Sequence, residues 1–513
     1  MLAKVNSCAV FGMDAHMVKV EVDVSPGLPC FDIVGLPDAS VRESKERVRT
    51  AIKNSGFEFP LRRITVNLAP ADIKKEGSNF DLPIAMAILA ATGQIEIPNR
   101  FLDALIVGEL SLDGTVRPVN GVLAMAMAAE HNEAISTFIL PEANSMEGAL
   151  TGKLTVYGIT DLLILADWLK GNVQISPAEA DGQQILAKAQ APPVNDMADV
   201  KGQEGAKRAM EIAAAGGHNM IMIGSPGSGK TMLARRLPSI MPELTLNESL
   251  AVTRIYSIAG ELPLGRPLIT ERPFRAPHHT ASGASIIGGG RIPIPGEVSL
   301  AHHGVLFMDE LPEFQRDVLE ALRQPLEDKT VTVARVQGRS QFSAAFQLIA
   351  AMNPCPCGYF GDPLKPCKCT PFQIQRYMNR ISGPLLDRID LHVDVQRVRY
   401  EDISKTAKGE SSAQIKARVM SARNIQQVRF QGTALICNAD MERKHVQEWC
   451  KMQFDAEILL AEAFKRLNLS ARAHDRLLKV ARTIADLAGE NMIGASHIAE
   501  AVQYRSLDRL VRA

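Results

Sequence analysis

Eight consecutive residues, Gly224, Ser225, Pro226, Gly227, Ser228, Gly229, Lys230 and Thr231, spell G-x-x-x-x-G-K-T without departure. An apolar run precedes them and a helix-forming stretch, MLARRL, follows. That strand–loop–helix context is the one in which such a loop cradles phosphate. The glycines let successive backbone N–H groups turn inward, and the helix N-terminus adds positive potential. Lys230 would then reach the β- and γ-phosphate oxygens of ATP, and Thr231 would hold Mg²⁺.

Further along, GVLFMDELPEF ends four apolar residues, Val305 to Met308, in Asp309 and Glu310. An acid pair at the tip of a buried strand is weak evidence alone and strong evidence behind a phosphate loop. Asp309 can hold the hydration shell of Mg²⁺, and Glu310 can orient and polarise an attacking water. The run FQLIAAMNP places Asn353 where an amide would position water beside a γ-phosphate. GPLLDRID then supplies Arg388 and SARAHDRLLK supplies Arg472, each offering a planar fork for charge on a transferring phosphoryl group.

Directly after Asn353 come Cys355, Cys357, Cys367 and Cys369, four of the chain's eight cysteines, spaced C-x-C-x₉-C-x-C. Four thiolates suit a closed, structural Zn²⁺ site with no position left for water. The C-x-C spacing is tighter than the common knuckle, so an unliganded loop or an iron–sulfur cluster stays open. The pairs His278-His279 and His302-His303 also invite a metal reading. Neighbours on a strand point to opposite faces, so each pair would offer one clean ligand at most, and local hydrogen bonding is the expectation.

The ordered set GSPGSGKT, VLFMDE, NPCPCG, LLDRID and SAR resembles the AAA+ ATPases of the magnesium-chelatase-like branch, kin of the MCM helicases. The resemblance implies that Asn353 is the first sensor and Arg472 the second. Arg388 becomes the finger that acts on a neighbouring subunit's ATP, with Arg380 as its substitute. A finger in trans implies a ring, a homo-hexamer by family habit. DVKGQEGAKRAMEIAAAGGH would seat the adenine, with Val200, Gly202 and Gln203 nearest the base. Two hairpin-like inserts, around Gly288-Gly289-Gly290-Arg291 and around Gln337-Gly338, would line the pore. Arg335 and Arg339 flank the second turn and could contact a DNA backbone without reading sequence, or could be ordinary surface residues.

These residues need an α/β scaffold with a parallel sheet and a helical cap. We expect an ATPase core over residues 198–400 and a C-terminal helical lid over 401–513. Ahead of them, a linker at 173–197 follows an N-terminal α/β domain at 1–172. That first domain resembles the Lon-protease-like, ribosomal S5 domain 2-type fold through KKEGSNFDLPIAMAIL and VGELSLDGTVRPVNGVLAMAMAAE. On the family pattern its serine position falls on Asn79 and its lysine position on Leu123, so the proteolytic dyad is missing. The segment from Val41 carries Arg42, Lys45, Arg47, Arg49, Lys53, Arg62 and Arg63 against three glutamates. It is either a solvated helix laced with ion pairs or a DNA-facing surface.

With 57 basic and 57 acidic residues the net charge is zero, so any nucleic-acid surface must be local. The N-terminus lacks a signal-peptide core, the apolar run from Leu82 is too short to span a bilayer, and the remaining cysteines are scattered singly. The expected location is the cytoplasm, with no membrane partner. The whole-chain resemblance is to bacterial competence proteins of this AAA+ branch. It implies an ATP-driven helicase that promotes branch migration of recombination intermediates during natural transformation, acting on single-stranded and branched DNA with recombination proteins as possible partners. A metal-chelatase motor that remodels a partner is the alternative, although no long acidic or Pro-rich tract or DxSxS-like motif accompanies it. A peptide unfoldase would want an aromatic pore loop where these turns carry Gly and Arg.

Overall fold

The computed structural model describes residues 2–189, 195–263, 265–290, 293–335, 338–397, 409–467 and 470–505. In the N-terminal segment, Val18, Val20, Val22 and Val24 alternate inward along the strand Asp14–Ser25, the two-residue period of a sheet with one covered face. Seven strands form that sheet, in the order Cys30–Val34, Arg63–Ala69, Asp14–Ser25, Leu2–Phe11, Leu105–Ile106, Thr137–Pro141 and Thr155–Ile159. The apolar run from Leu82 becomes the helix Asp81–Ala91, buried along nearly its whole length against the two long strands. The helix Ala39–Asn54 packs beside it through Val41, Val48, Ala51 and Ile52, and Asp38 caps it by accepting from the Val41 N–H.

The second sheet is parallel throughout. Its order is Phe274–Arg275, Val305–Met308, Gln347–Met352, Met220–Ile223 and Leu391–Asp394. Its three central strands are buried at every residue, which explains their apolar sequences, broken only by the buried Gln347. The register sets Ile223 beside both Met352 and Asp394, so the residues that follow emerge together at the carboxyl edge. One face is covered by the helix Glu204–Gly216 and by the C-terminal helices Ser412–Arg429, Arg443–Trp449, Phe454–Leu467, Ala471–Ala488 and Ala495–Gln503, which share one apolar core with it. His218 ties this cap to the sheet, its ring bonded to Asp390 at 3.0 Å and to Thr483 at 2.8 Å.

The presumed linker is more ordered than its composition implies. Ala178 bridges to Val156, and Gly182–Lys188 forms a helix whose N-cap Asp181 accepts from the Gln183 and Gln184 N–H groups. Both hairpins are present. Gly288–Gly289 pairs with Ile294–Pro295, and Thr330–Arg335 pairs with Gly338–Ser343. Arg291, Gln337 and the side chains of Arg335 and Arg339 lie outside the described residues. Among the described residues, no helix is long and apolar enough to cross a membrane.

Candidate active site

Strand Met220–Ile223 delivers the phosphate loop, and Gly227 and Gly229 turn it with φ of 77° and 91°. Gly224 sits where any Cβ would lie 2.2 Å from the Val395 carbonyl oxygen, so the loop is pressed against the exit of the last strand. Lys230 opens the following helix, Lys230–Ala234, and folds back into the loop. Its ammonium donates to Gly224 O at 2.7 Å, Ser225 O at 3.2 Å and Asn353 Oδ1 at 3.4 Å. Burial lowers its pKa, while Asp309 and Glu310 oppose that shift.

The Thr231 hydroxyl donates to Asp309 Oδ2 at 2.7 Å. Two hard oxygen ligands thus stand side by side where Mg²⁺ bound to a nucleotide would share them. Glu310 follows with φ of 53°, a left-handed conformation uncommon for a residue with a side chain. Its carboxylate faces His279 Nδ1 at 3.4 Å. Gln203 completes the rim by donating to Ser228 O at 3.3 Å and to Gln396 O. Gly202 turns the chain there with φ of 65°, and Val200 is buried beneath. The phosphate loop, the acid pair, Asn353 and Gln203 are therefore gathered at one edge of the sheet.

Arg388 and Arg472 engage groups outside that set, whereas Arg380 lies near it: its charge and that of Glu310 both act on Tyr377, which bonds the Asn353 backbone. Arg388 is 9 % exposed, donates to Pro384 O at 2.6 Å and pairs with Glu327. Arg472 is exposed at the start of Ala471–Ala488, and its charge acts on the same Glu327. Arg380 pairs with Glu313 at 2.6 Å on an open cleft of about 730 Å³ that Arg316, Phe372 and Arg376 also line. Beside Arg388, Asp390 is buried, which alone would raise its pKa. His218 and Arg476 instead hold it at about 2.

The four cysteines converge. Their sulfurs all lie within 4.8 Å of one another, and Cys355, Cys357 and Cys367 are 3.4–3.6 Å apart. A tetrahedral Zn²⁺ with thiolates at about 2.3 Å has edges of about 3.8 Å, so the donor set fits the ion. Backbone N–H groups of Lys368 and Tyr359 pull the Cys357 thiol down to about 6. Against the pull of the Cys369 N–H, desolvation and the clustered neighbouring sulfurs push Cys367 up to about 12, and they raise Cys369 as well.

Three arrangements had no sequence signal. His279 faces Glu310, Asp362 on the cysteine loop accepts from Ser225, and Glu147 reaches Ser257 across the two sheets' segments. The histidine pairs also differ from expectation. Neither lies on a strand, and the rings of each pair sit together, with centroids 4.1 Å and 4.0 Å apart, instead of pointing to opposite faces. Neither pair belongs to a metal-sized cluster among the described residues.

In the N-terminal segment, Asn79 donates to Cys8 O at 2.6 Å and Leu123 is fully buried. Ser78 donates to the Glu109 carboxylate. Several cations of the basic helix are engaged at home. Arg47 pairs with Asp81 at 2.8 Å, Lys45 with Asp32 at 3.6 Å, and Arg49 lies over Phe59 at 5.7 Å. These are tertiary contacts, unlike the i,i+4 lacing of the solvated-helix reading of this segment.

Three family models match. The one described as magnesium chelatase, subunit ChlI, covers residues 196–403, subunit ChlI of Mg-chelatase covers 20–144, and its C-terminal part covers 409–505. Competence protein ComM of Haemophilus influenzae is 43% identical over 512 residues, spanning 100% of this chain and 99% of the relative. YifB of Salmonella typhimurium is 44% identical over 514 residues, spanning 99% and 98%. Lon protease 2 of Bacillus subtilis is 31% identical over 157 residues, 27% of this chain and 28% of the relative. The chain belongs to the ComM and YifB family of magnesium-chelatase-type AAA+ ATPases.

Proposed function

We propose that this ATPase is a homo-hexameric, cytoplasmic DNA helicase that promotes branch migration of recombination intermediates during natural transformation. The observation that carries the hydrolytic half is the joint placement of Lys230, Thr231, Asp309, Glu310 and Asn353 at one sheet edge. Lys230 binds the phosphates, and Thr231 with Asp309 would hold Mg²⁺, which supplies charge neutralisation when bound. Glu310 orients the attacking water and Asn353 fixes its position. Arg388 of one subunit completes the site of the next, with Arg380 as its substitute and Arg472 as the second sensor. Arg388 bonds Pro384 O and Glu327 and makes no contact with its own phosphate loop among the described residues, which supports service in trans.

The DNA half is supported by full-length similarity to a relative named a competence protein and by the two hairpins inserted in the ATPase segment. Arg335 and Arg339 would touch the backbone of single-stranded or branched DNA, with recombination proteins as natural partners. We divide the chain into residues 1–172, a linker at 173–197, the motor at 198–400 and a lid at 401–513. Cys355, Cys357, Cys367 and Cys369 would hold a structural Zn²⁺, supported by the sulfur spacing. The descriptions of the matching family models favour one second reading, a motor that remodels a partner protein for metal insertion.

Strand displacement and junction migration on forked and four-way DNA separate the two. The helicase reading expects ATP-dependent product from the wild-type protein and none from Lys230→Ala or Glu310→Gln. Absence of product from the intact protein sinks it and leaves the partner-remodelling motor.

A further inference from the structure

The loop between the two cysteine pairs is pressed onto the phosphate loop. Gly358 has φ of 82°, and a Cβ there would come within 2.6 Å of Pro226 Cδ. The Asp362 side chain is fully shielded, and its Oδ2 accepts from Ser225 Oγ at 2.6 Å. Arg397, just past the last strand of the ATPase sheet, forms an ion pair with the same oxygen at 3.2 Å. Asp362 Oδ1 meanwhile accepts from the Leu364 and Lys365 N–H groups at 2.9 Å and 3.1 Å, closing the loop's own turn. Tyr359 lies under two cations, with Lys365 at 4.2 Å and Arg397 at 5.5 Å from its ring.

This loop has no core of its own. Between Cys357 and Cys367 no apolar side chain is buried: Phe360 is 44% exposed and Leu364 77% exposed. Apolar burial therefore cannot hold its shape, and a cross-link must. The four convergent thiols are the available cross-link, and Asp362 is the group they present to the nucleotide site.

We propose that Asp362 is a positioning residue of the nucleotide site, which holds Ser225 and the phosphate loop in their binding shape only while the cysteine loop is metal-bound. Nucleotide affinity is then tied to metal occupancy, and oxidation or removal of the thiolates would slacken the phosphate loop without touching Lys230, Asp309 or Glu310. The inference rests on the structural-zinc reading above and is independent of the DNA reading.

The test uses the full chain without DNA. Zinc content is measured by elemental analysis, and affinity by titration with a fluorescent ATP analogue. The wild-type protein should carry about one zinc per chain. The double variant Cys367→Ser, Cys369→Ser should carry none and bind nucleotide about tenfold more weakly, the loss of one charge-assisted hydrogen bond. Asp362→Ala should keep its zinc and show the same about tenfold loss, as a raised KM with kcat at saturating ATP within about twofold. Asp362→Asn, which keeps the turn-closing acceptor, should recover part of the affinity. Combining Asp362→Ala with the cysteine changes should weaken binding no further, because both act through one contact.

Wild-type affinity in the cysteine variant or in Asp362→Ala overturns the proposal. So do multiplying effects, and so does a wild-type protein free of metal. If the cysteine variant does not fold, Ser225→Ala reads the same bond from the other side. It should weaken binding and add nothing to Asp362→Ala, and full additivity there overturns the inference. A protein that passes these tests yet ignores branched DNA would refute the helicase reading alone.

Discussion

Acidification should loosen the ATPase sheet through two histidines that the native fold keeps neutral. His392 is buried in the strand Leu391–Asp394, where burial, then Arg505, lowers its pKa to about 3, with Arg476 adding to the shift and Asp390 opposing it. His302 is buried under the hairpin base, accepting from the Ala345 N–H at 3.0 Å. Burial, then its neighbour His303, lowers it to about 3. In the unfolded chain both would titrate near 6.5. Stability is therefore full above about pH 6.5 and falls as the pH drops toward 3, because only the unfolded chain gains the protons. From pH 7.5 to 5.0 each histidine contributes a loss of about 2 kcal/mol, and the pair about 4 kcal/mol. Hydrogen exchange of peptides spanning Leu391–Asp394, corrected for intrinsic rates, reads the opening energy directly. Protection should fall by about 10³ between those pH values in the wild type and by only about 30-fold in His392→Gln. Equal losses in the two proteins would refute the argument, whatever their absolute stabilities.

Three further outcomes follow from the geometry. Gly224→Ala forces a methyl against the Val395 carbonyl. It should cost about 2–3 kcal/mol of nucleotide binding by analogue titration, with an unchanged circular dichroism spectrum. Arg388→Ala should lower ATP turnover by about 10³ while nucleotide affinity stays near wild type, and normal hydrolysis would remove it as the finger. Glu147 is buried, and burial raises its pKa. Its carboxylate accepts from Ser257 Oγ, from the Leu123 N–H at 2.9 Å and from Asn144 Nδ2 at 3.1 Å. Glu147→Leu strands all three donors and should cost about 3 kcal/mol, seen as a lower thermal midpoint, and an unshifted melt would disprove this docking contact.

What could be read in the sequence was local chemistry. The phosphate loop, the strand ending in Asp309-Glu310, Asn353 and the cysteine quartet each declare themselves within a few residues. The parallel order of the sheet then brings the first three to one edge. The contacts between segments had no such mark. Ser225 and Asp362 are 137 positions apart, and Glu147 and Ser257 are 110 apart, with no periodicity linking them. His279 differs from its strand-based expectation for a related reason. It sits in a turn, where the opposite-face alternation of a strand does not hold, so its approach to Glu310 has no local signature. Leu123 shows the opposite case. It was notable only as a missing lysine, yet its backbone N–H helps bind Glu147, and Gly121 two residues before it donates to Ser257 Oγ at 2.9 Å.

The central claim is that ATP hydrolysis at this site is driven against DNA. Steady-state ATP turnover measured with and without a four-way DNA junction tests it most directly. The account predicts clear stimulation of the wild-type protein by the junction and no turnover in Glu310→Gln with the junction still bound. A turnover rate indifferent to branched DNA, at concentrations where the junction is bound, would contradict it.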